Sequence, residues 1–151
     1  MRIPTLLVVA LTLCLALAGC QGDNNPANPT PASLTVTLEV FGAHGITLSK
    51  VVSGDAGCPS PELVRTAVSF SATGLDQATP TRIYLYGFRN RATFQRLAST
   101  IDACARSYVT DATAYSSIMA SPLVLSGPGP WAPGFAQRLR EALVVAAGNG
   151  G

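Results

Sequence analysis

The chain has 151 residues, 48% of them hydrophobic and only 12% charged, with a formal net charge of +2. That length suits one domain with a real core, and the apolar content argues against a disordered chain. No basic block is present to neutralise a row of phosphates, which argues against a nucleic-acid partner.

Residues 1–20 open with Arg2 and continue through an uncharged, mostly apolar run from Thr5 to Leu17. The run is shorter than the roughly 20 residues a membrane-spanning helix needs. A basic start, an apolar run and a small-residue exit form an export signal, not part of a fold. The ending Leu17-Ala18-Gly19-Cys20 resembles the lipobox of bacterial lipoproteins. The resemblance implies cleavage before Cys20, a signal peptide over residues 1–19, and fatty acyl (palmitate-type) chains on Cys20. It places the mature chain on the extracytoplasmic side of the cell membrane, held by its lipid anchor. Two or more acyl chains are needed for stable anchoring, because one chain holds only weakly. Arginine outnumbers the single lysine, Lys50, nine to one. With the many Ala and Gly residues, this composition is similar to that of GC-rich genomes such as those of actinobacteria.

Residues 20–33, rich in Asn, Pro and Gly, have no apolar side chain larger than Ala after Cys20. They read as a solvated tether spanning about 20 Å and reaching about 45 Å at most. A single domain is expected over residues 34–151. Leu34, Val36, Leu38 and Val40 alternate with polar residues, which predicts a strand over 34–40. The glycine-rich turn Gly42-Ala43-His44-Gly45 and a second strand over 46–52 would complete a hairpin.

Four cysteines divide simply. Cys14 leaves with the signal and Cys20 carries lipid, so Cys58 and Cys104 remain as an even pair in an oxidising compartment. A Cys58–Cys104 disulfide is expected, contributing on the order of 3–4 kcal/mol by loop-closure entropy. The competing account is two buried free thiols. Two cysteines and one histidine offer too few soft ligands for a metal site, and no cofactor is expected.

Ser60-Pro61-Glu62 carries helix-start signals. Yet the alternation through Val64, Thr66, Val68 and Phe70 favours a strand over about 64–72. A strand over 82–88 follows, giving a second hairpin. It places Ile83 and Leu85 on one face and Arg82, Tyr84, Tyr86 and Phe88 on the other. Asn90 is a candidate N-cap for a helix over 91–108, with Phe94, Leu97, Ala98, Ile101, Cys104, Ala105 and Tyr108 on one side. Residues 115–125 read as one strand, or two short ones broken at Pro122. A last helix over 133–147 buries Phe135, Leu139, Ala142, Leu143 and Ala146, with Trp131 beneath it and Gly148 at its end. These elements predict an α+β fold, an antiparallel sheet of about five strands with two main helices packed on one face.

Candidate chemistry is sparse. His44 is the single histidine, so a Ser-His-Asp hydrolase would have to use it. The sequence holds no G-x-S-x-G, and a hairpin-tip histidine exposed to water is the plainer account. Arg82, Tyr84 and Tyr86 could stack a sugar ring, lipid head group or partner chain, the plainer account being a second buried face. Arg89 and Arg91 flank a helix N-terminus that favours an anion, the plainer account being a solvated charge pair. The stretch from Phe94 to Tyr108 is similar to extracytoplasmic sensor-type domains of mycobacterial lipoproteins and kinases. That resemblance implies a disulfide-bonded α+β domain with a ligand cleft, and it covers about a quarter of the chain. The expected function is a non-enzymatic domain binding a small ligand or an envelope protein. The alternatives are a small envelope hydrolase using His44 and a structural or assembly accessory.

Overall fold

The computed structural model describes residues 31–148. The export signal, Cys20 and the tether up to residue 30 lie outside the described residues. Among the described residues no helix is long and apolar enough to cross a membrane.

The first element is a helix, α1 (Pro31–Ala43). It replaces the strand expected over residues 34–40 and takes in Pro31–Ser33, which composition had assigned to the tether. The reason lies in which residues find the core. Leu34, Thr37 and Phe41 are buried and Leu38 is partly so. Their spacing of i, i+3, i+4 and i+7 is that of one helical face. Val36, which the strand would bury, is 56% exposed. The expected first hairpin is therefore a helix, a tight turn and a strand, β1 (Thr47–Ser53).

Next come a one-turn helix, α2 (Pro61–Val64), and β2 (Ala67–Gly74). Both signals over this stretch are met, at different residues. The Ser60 hydroxyl caps α2 and Pro61 begins it, while the alternating pattern becomes strand only from Ala67. A tight turn through Leu75 and Asp76 leads to β3 (Gln77–Gly87). Gly74 allows the turn: its φ is +149°, and a Cβ there would stand 2.7 Å from the Gly45 carbonyl oxygen.

Helix α3 (Arg91–Tyr108) starts where expected, with the Asn90 side chain accepting from the Thr93 amide at 2.9 Å. Strands β4 (Tyr115–Ala120) and β5 (Leu123–Pro128) are the two short strands broken at Pro122. Helix α4 (Pro133–Ala147) buries Phe135, Leu139, Ala142 and Leu143. Its preceding residue, Ala132, has no capping side chain. The β2–β3 turn supplies the cap. The Asp76 carboxylate accepts from the Gly134 and Phe135 amides at 2.9 and 2.7 Å. The Gln77 side-chain oxygen accepts from the Ala132 amide at 3.0 Å.

The five strands form one antiparallel sheet in the order β1-β2-β3-β5-β4. This is the expected α+β architecture. Two helices pack on one face, and they are α1 and α4: Leu34, Phe41, Phe135, Leu139 and Leu143 meet Phe70, Ile83, Leu85 and Leu125, with Trp131 in the same cluster. The helix expected to partner α4, α3, lies on the opposite face, where Leu97, Ile101 and Cys104 meet Tyr84, Tyr86, Phe88 and Val124. The reason is in β3, whose two sides are both apolar or aromatic. A strand buried on both faces needs cover on both.

The Cys58–Cys104 pair is joined, with a Cα–Cα distance of 5.3 Å. It ties the β1–α2 loop to the buried side of α3.

Candidate functional site

Helix α3 doubles back over β3. At its start Phe94 meets Phe88, ring centroids 5.9 Å apart. At its end Tyr108 stacks on Tyr84 at 4.3 Å. Gly57 seats the cysteine loop against this stack. Its φ is +74°, and a Cβ would lie 2.5 Å from the Tyr108 ring and 2.9 Å from that of Tyr84. The Arg82 guanidinium stands over the Tyr84 ring, 5.8 Å from its centre.

Arg82 is itself held. Its Nη2 donates to Asp55 Oδ2 at 2.7 Å and to the Ser69 hydroxyl at 2.6 Å, and Ser69 donates to the same carboxylate oxygen at 2.6 Å. The Asp55 and Arg82 side chains are each 31% exposed. Burial is the largest single influence on the Asp55 carboxyl and would raise its pKa. Hydrogen bonds from Ser69, the Gly57 amide and Arg82 together outweigh it and hold the group below its ordinary value. A carboxylate so held is a poor proton acceptor at neutral pH.

Strand register brings a second group together. Ser69, Tyr84, Ser126 and Ser117 stand opposite one another across β2, β3, β5 and β4, so they share the α3 face. Two residues along β4 on either side of Ser117 are Tyr115 and Met119, on the same face. The Tyr108 hydroxyl meets the Ser126 hydroxyl at 2.7 Å. The Tyr86 hydroxyl donates to the Ala56 carbonyl at 2.9 Å. All four tyrosines of the chain, Tyr84, Tyr86, Tyr108 and Tyr115, therefore gather on this face.

Two hydroxyls in the group have no partner. The oxygens of Tyr115 and Ser117 are both buried and unbonded. Asp102 of α3, Ser117 and Ser126 lie close enough to act on the Tyr115 hydroxyl. A desolvated hydroxyl left so costs about 1–3 kcal/mol. Burial keeps these phenols protonated. It pushes Tyr86 up to about 12 and raises Tyr108 and Tyr115 as well. The group is thus a set of neutral donors and acceptors beside the Asp55 and Asp102 carboxylates.

The residues singled out from sequence fall in three places. Arg82, Tyr84 and Tyr86 share one face of β3, as the alternation implied. Tyr84 and Tyr86 are closed off beneath α3, at 9% and 0% exposure, so this face is a second buried one and not an open aromatic platform. Arg89 and Arg91 are exposed at the other end of α3, a helix about 27 Å long. They do not join Arg82. His44 sits in the turn after α1, where its Nδ1 donates to the Val40 carbonyl at 2.8 Å. Sequence reasoning missed Asp55, Ser69, Asp102, Tyr115, Ser117 and Ser126 as members of a site. The one local signal was the alternation Tyr115-Ser117-Met119 on β4. Among the described residues, no three Cys, His, Asp or Glu side chains gather as metal ligands.

No family model, curated protein or solved structure matches this chain.

Proposed function

We propose that this chain is a lipid-anchored lipoprotein of the cell envelope whose extracytoplasmic domain binds a ligand or partner without catalysing a reaction. The observation that carries the reading is the ending Leu17-Ala18-Gly19-Cys20 after an apolar export signal. The Cys58–Cys104 bridge supports it, since such bonds persist in oxidising compartments. The binding role draws support from the hydroxyl group at the end of α3. A hydrolase would need His44 beside a serine hydroxyl, and the side-chain contact His44 makes is with the Val40 carbonyl. Asp55 is spent on Arg82 and Ser69.

The test is metabolic labelling with radioactive palmitate, followed by detergent phase partitioning. The parent should be labelled and enter the detergent phase. The Cys20→Ser chain should be unlabelled and stay in the aqueous phase. Equal labelling of both, or a parent found in cytosol with Cys58 and Cys104 alkylatable, would overturn the proposal.

A further inference from the structure

We propose that the end of the domain where α1 begins docks on the bilayer itself, as a surface for anionic phospholipid head groups. This rests on the reading of the chain as lipid-anchored and adds the partner that the folded body meets. The β2–β3 turn pins two helices at one end. The Gly45 carbonyl, just after α1, lies against Gly74, and Asp76 and Gln77 hold the first residues of α4. The two helices pack against each other. They therefore run in opposite directions, and the start of α1 and the end of α4 come together about 20 Å from that turn. Both helices reach the far end of the sheet. Val68 and Leu123, at strand ends there, are buried in one cluster with Leu34 and Leu143.

That far end combines positive charge with exposed apolar side chains. Arg65 leads into β2 there, and Arg89 and Arg91 follow β3. The Gly87 amide donates to the Thr66 carbonyl at 2.9 Å, which brings the two segments side by side. All three arginines are exposed, and among the described residues none has an ion-pair partner. The helix ends carry no charge over residues 31–38 and 142–148. Val36, Val144 and Val145 stand on them 56%, 55% and 58% exposed. Apolar side chains for the acyl boundary and cations for the phosphates are what an interfacial surface needs. The opposite end, at the β2–β3 turn, carries the acid Asp76 beside the exposed Leu75.

The tether selects the occupant. It joins the domain at Pro31, the first residue of α1, so the lipid on Cys20 is linked to this end and not the other. From Cys20 to Pro31 the chain spans at most about 40 Å. Each arginine near an anionic lipid surface raises the docked population about fivefold. Weak contacts suffice, because the anchor turns docking into an intramolecular step.

The experiment is nuclear magnetic resonance of the parent chain in lipid nanodiscs, with valine and leucine methyl groups labelled. One set of discs is phosphatidylcholine alone and the other has added phosphatidylglycerol; both hold a lipid spin-labelled at its head group. In the anionic discs the Val36, Val144 and Val145 methyls should broaden far more than those of Leu75. Arg65→Gln, Arg89→Gln and Arg91→Gln together should cut the docked population about a hundredfold and erase that contrast. Discs without phosphatidylglycerol should erase it too. Because the three positions are exposed, the thermal midpoint should not move. The proposal is overturned if Leu75 broadens as much as the valines in the parent, or if the contrast survives loss of the arginines or of the lipid charge. It is also overturned if the same methyls shift with protein concentration in lipid-free detergent, the result for a second copy on this face. A parent that does not co-elute with the discs overturns anchor and docking together. One that co-elutes without a preferred orientation overturns the docking alone.

Discussion

Raising the pH should unfold this domain through its tyrosines. The Tyr86 ring is fully buried, its hydroxyl donates to the Ala56 carbonyl at 2.9 Å, and its pKa is pushed up to about 12, chiefly by burial. An unfolded tyrosine titrates near pH 10. The folded value lies above the unfolded one, so this contribution is fully present below pH 10 and disappears as pH rises through the folded value. A displacement of about two units is worth about 3 kcal/mol. Tyr108 and Tyr115 are displaced in the same direction and add to the loss. Against a typical domain stability of about 5–15 kcal/mol, the sum is enough to matter. The assay is a stepwise alkaline titration followed by tyrosinate absorbance and circular dichroism together. Absorbance should rise in a cooperative step that coincides with loss of secondary structure. Tyr86→Phe should cost about 1 kcal/mol at neutral pH, for the lost hydrogen bond, yet move the alkaline midpoint upward. Complete ionisation of the tyrosines with the sheet intact would refute this account, as would an unmoved midpoint in Tyr86→Phe.

Three further outcomes are expected. Replacing both Cys58 and Cys104 by alanine should lower stability by about 4 kcal/mol, the loop-closure term for a separation of 46 residues; guanidinium unfolding measures it, and a loss below about 1 kcal/mol would show that the bridge constrains little. Asp55→Asn should flatten the acid limb of stability. Its folded pKa is depressed, so its contribution is present above the unfolded value and lost as pH falls through the folded one; acid-unfolding curves identical to the parent would contradict this. Asp76→Ala should lower the thermal midpoint by removing the acceptor for two amides at the start of α4, while Asp76→Asn, which keeps one acceptor oxygen, should lower it less.

What could be read from the chain depended on how far each signal had to reach. Helix α3 is set by a capping Asn90 and an apolar side at helical spacing, and α4 by its apolar side, its cap coming from the distant Asp76 and Gln77. The disulfide followed from counting cysteines and from Cys104 facing inward. The stretch after Ser60 reads as one element because a four-residue helix is too short to display a period. The site was harder. Alternation alone put Arg82, Tyr84 and Tyr86 on one face, but nothing local says that α3 will return across them. Ser126 comes beside Tyr84 only because β5 inserts between β3 and β4, a pairing no single stretch encodes. Hence aromatics that looked available are buried, and serines that looked unremarkable form the site.

The first helix is the sharpest case, and it can be tested. Residues 34–40 alternate as a strand would, but the side the helix buries is Leu34, Thr37, Leu38 and Phe41, with a polar residue in the middle of it. That polar residue hid the period, and the β-branched Thr35, Val36, Thr37 and Val40 favoured the wrong element. The two conformations differ most at Val36 and Thr37. In the helix Thr37 is 3% exposed and Val36 56%; in a strand Val36 would turn inward with Leu34 and Thr37 outward. Val36→Lys should therefore change stability by no more than about 0.5 kcal/mol, as at other exposed positions. Thr37→Lys should be severely destabilising, since it forces a charge into a closed interface. Phe41→Ala, which empties the space against Phe70, should cost about 3–5 kcal/mol. Chemical denaturation of the three variants decides the matter. A chain that tolerates lysine at Thr37 but unfolds with lysine at Val36 would place this segment in the sheet and remove α1 from the fold.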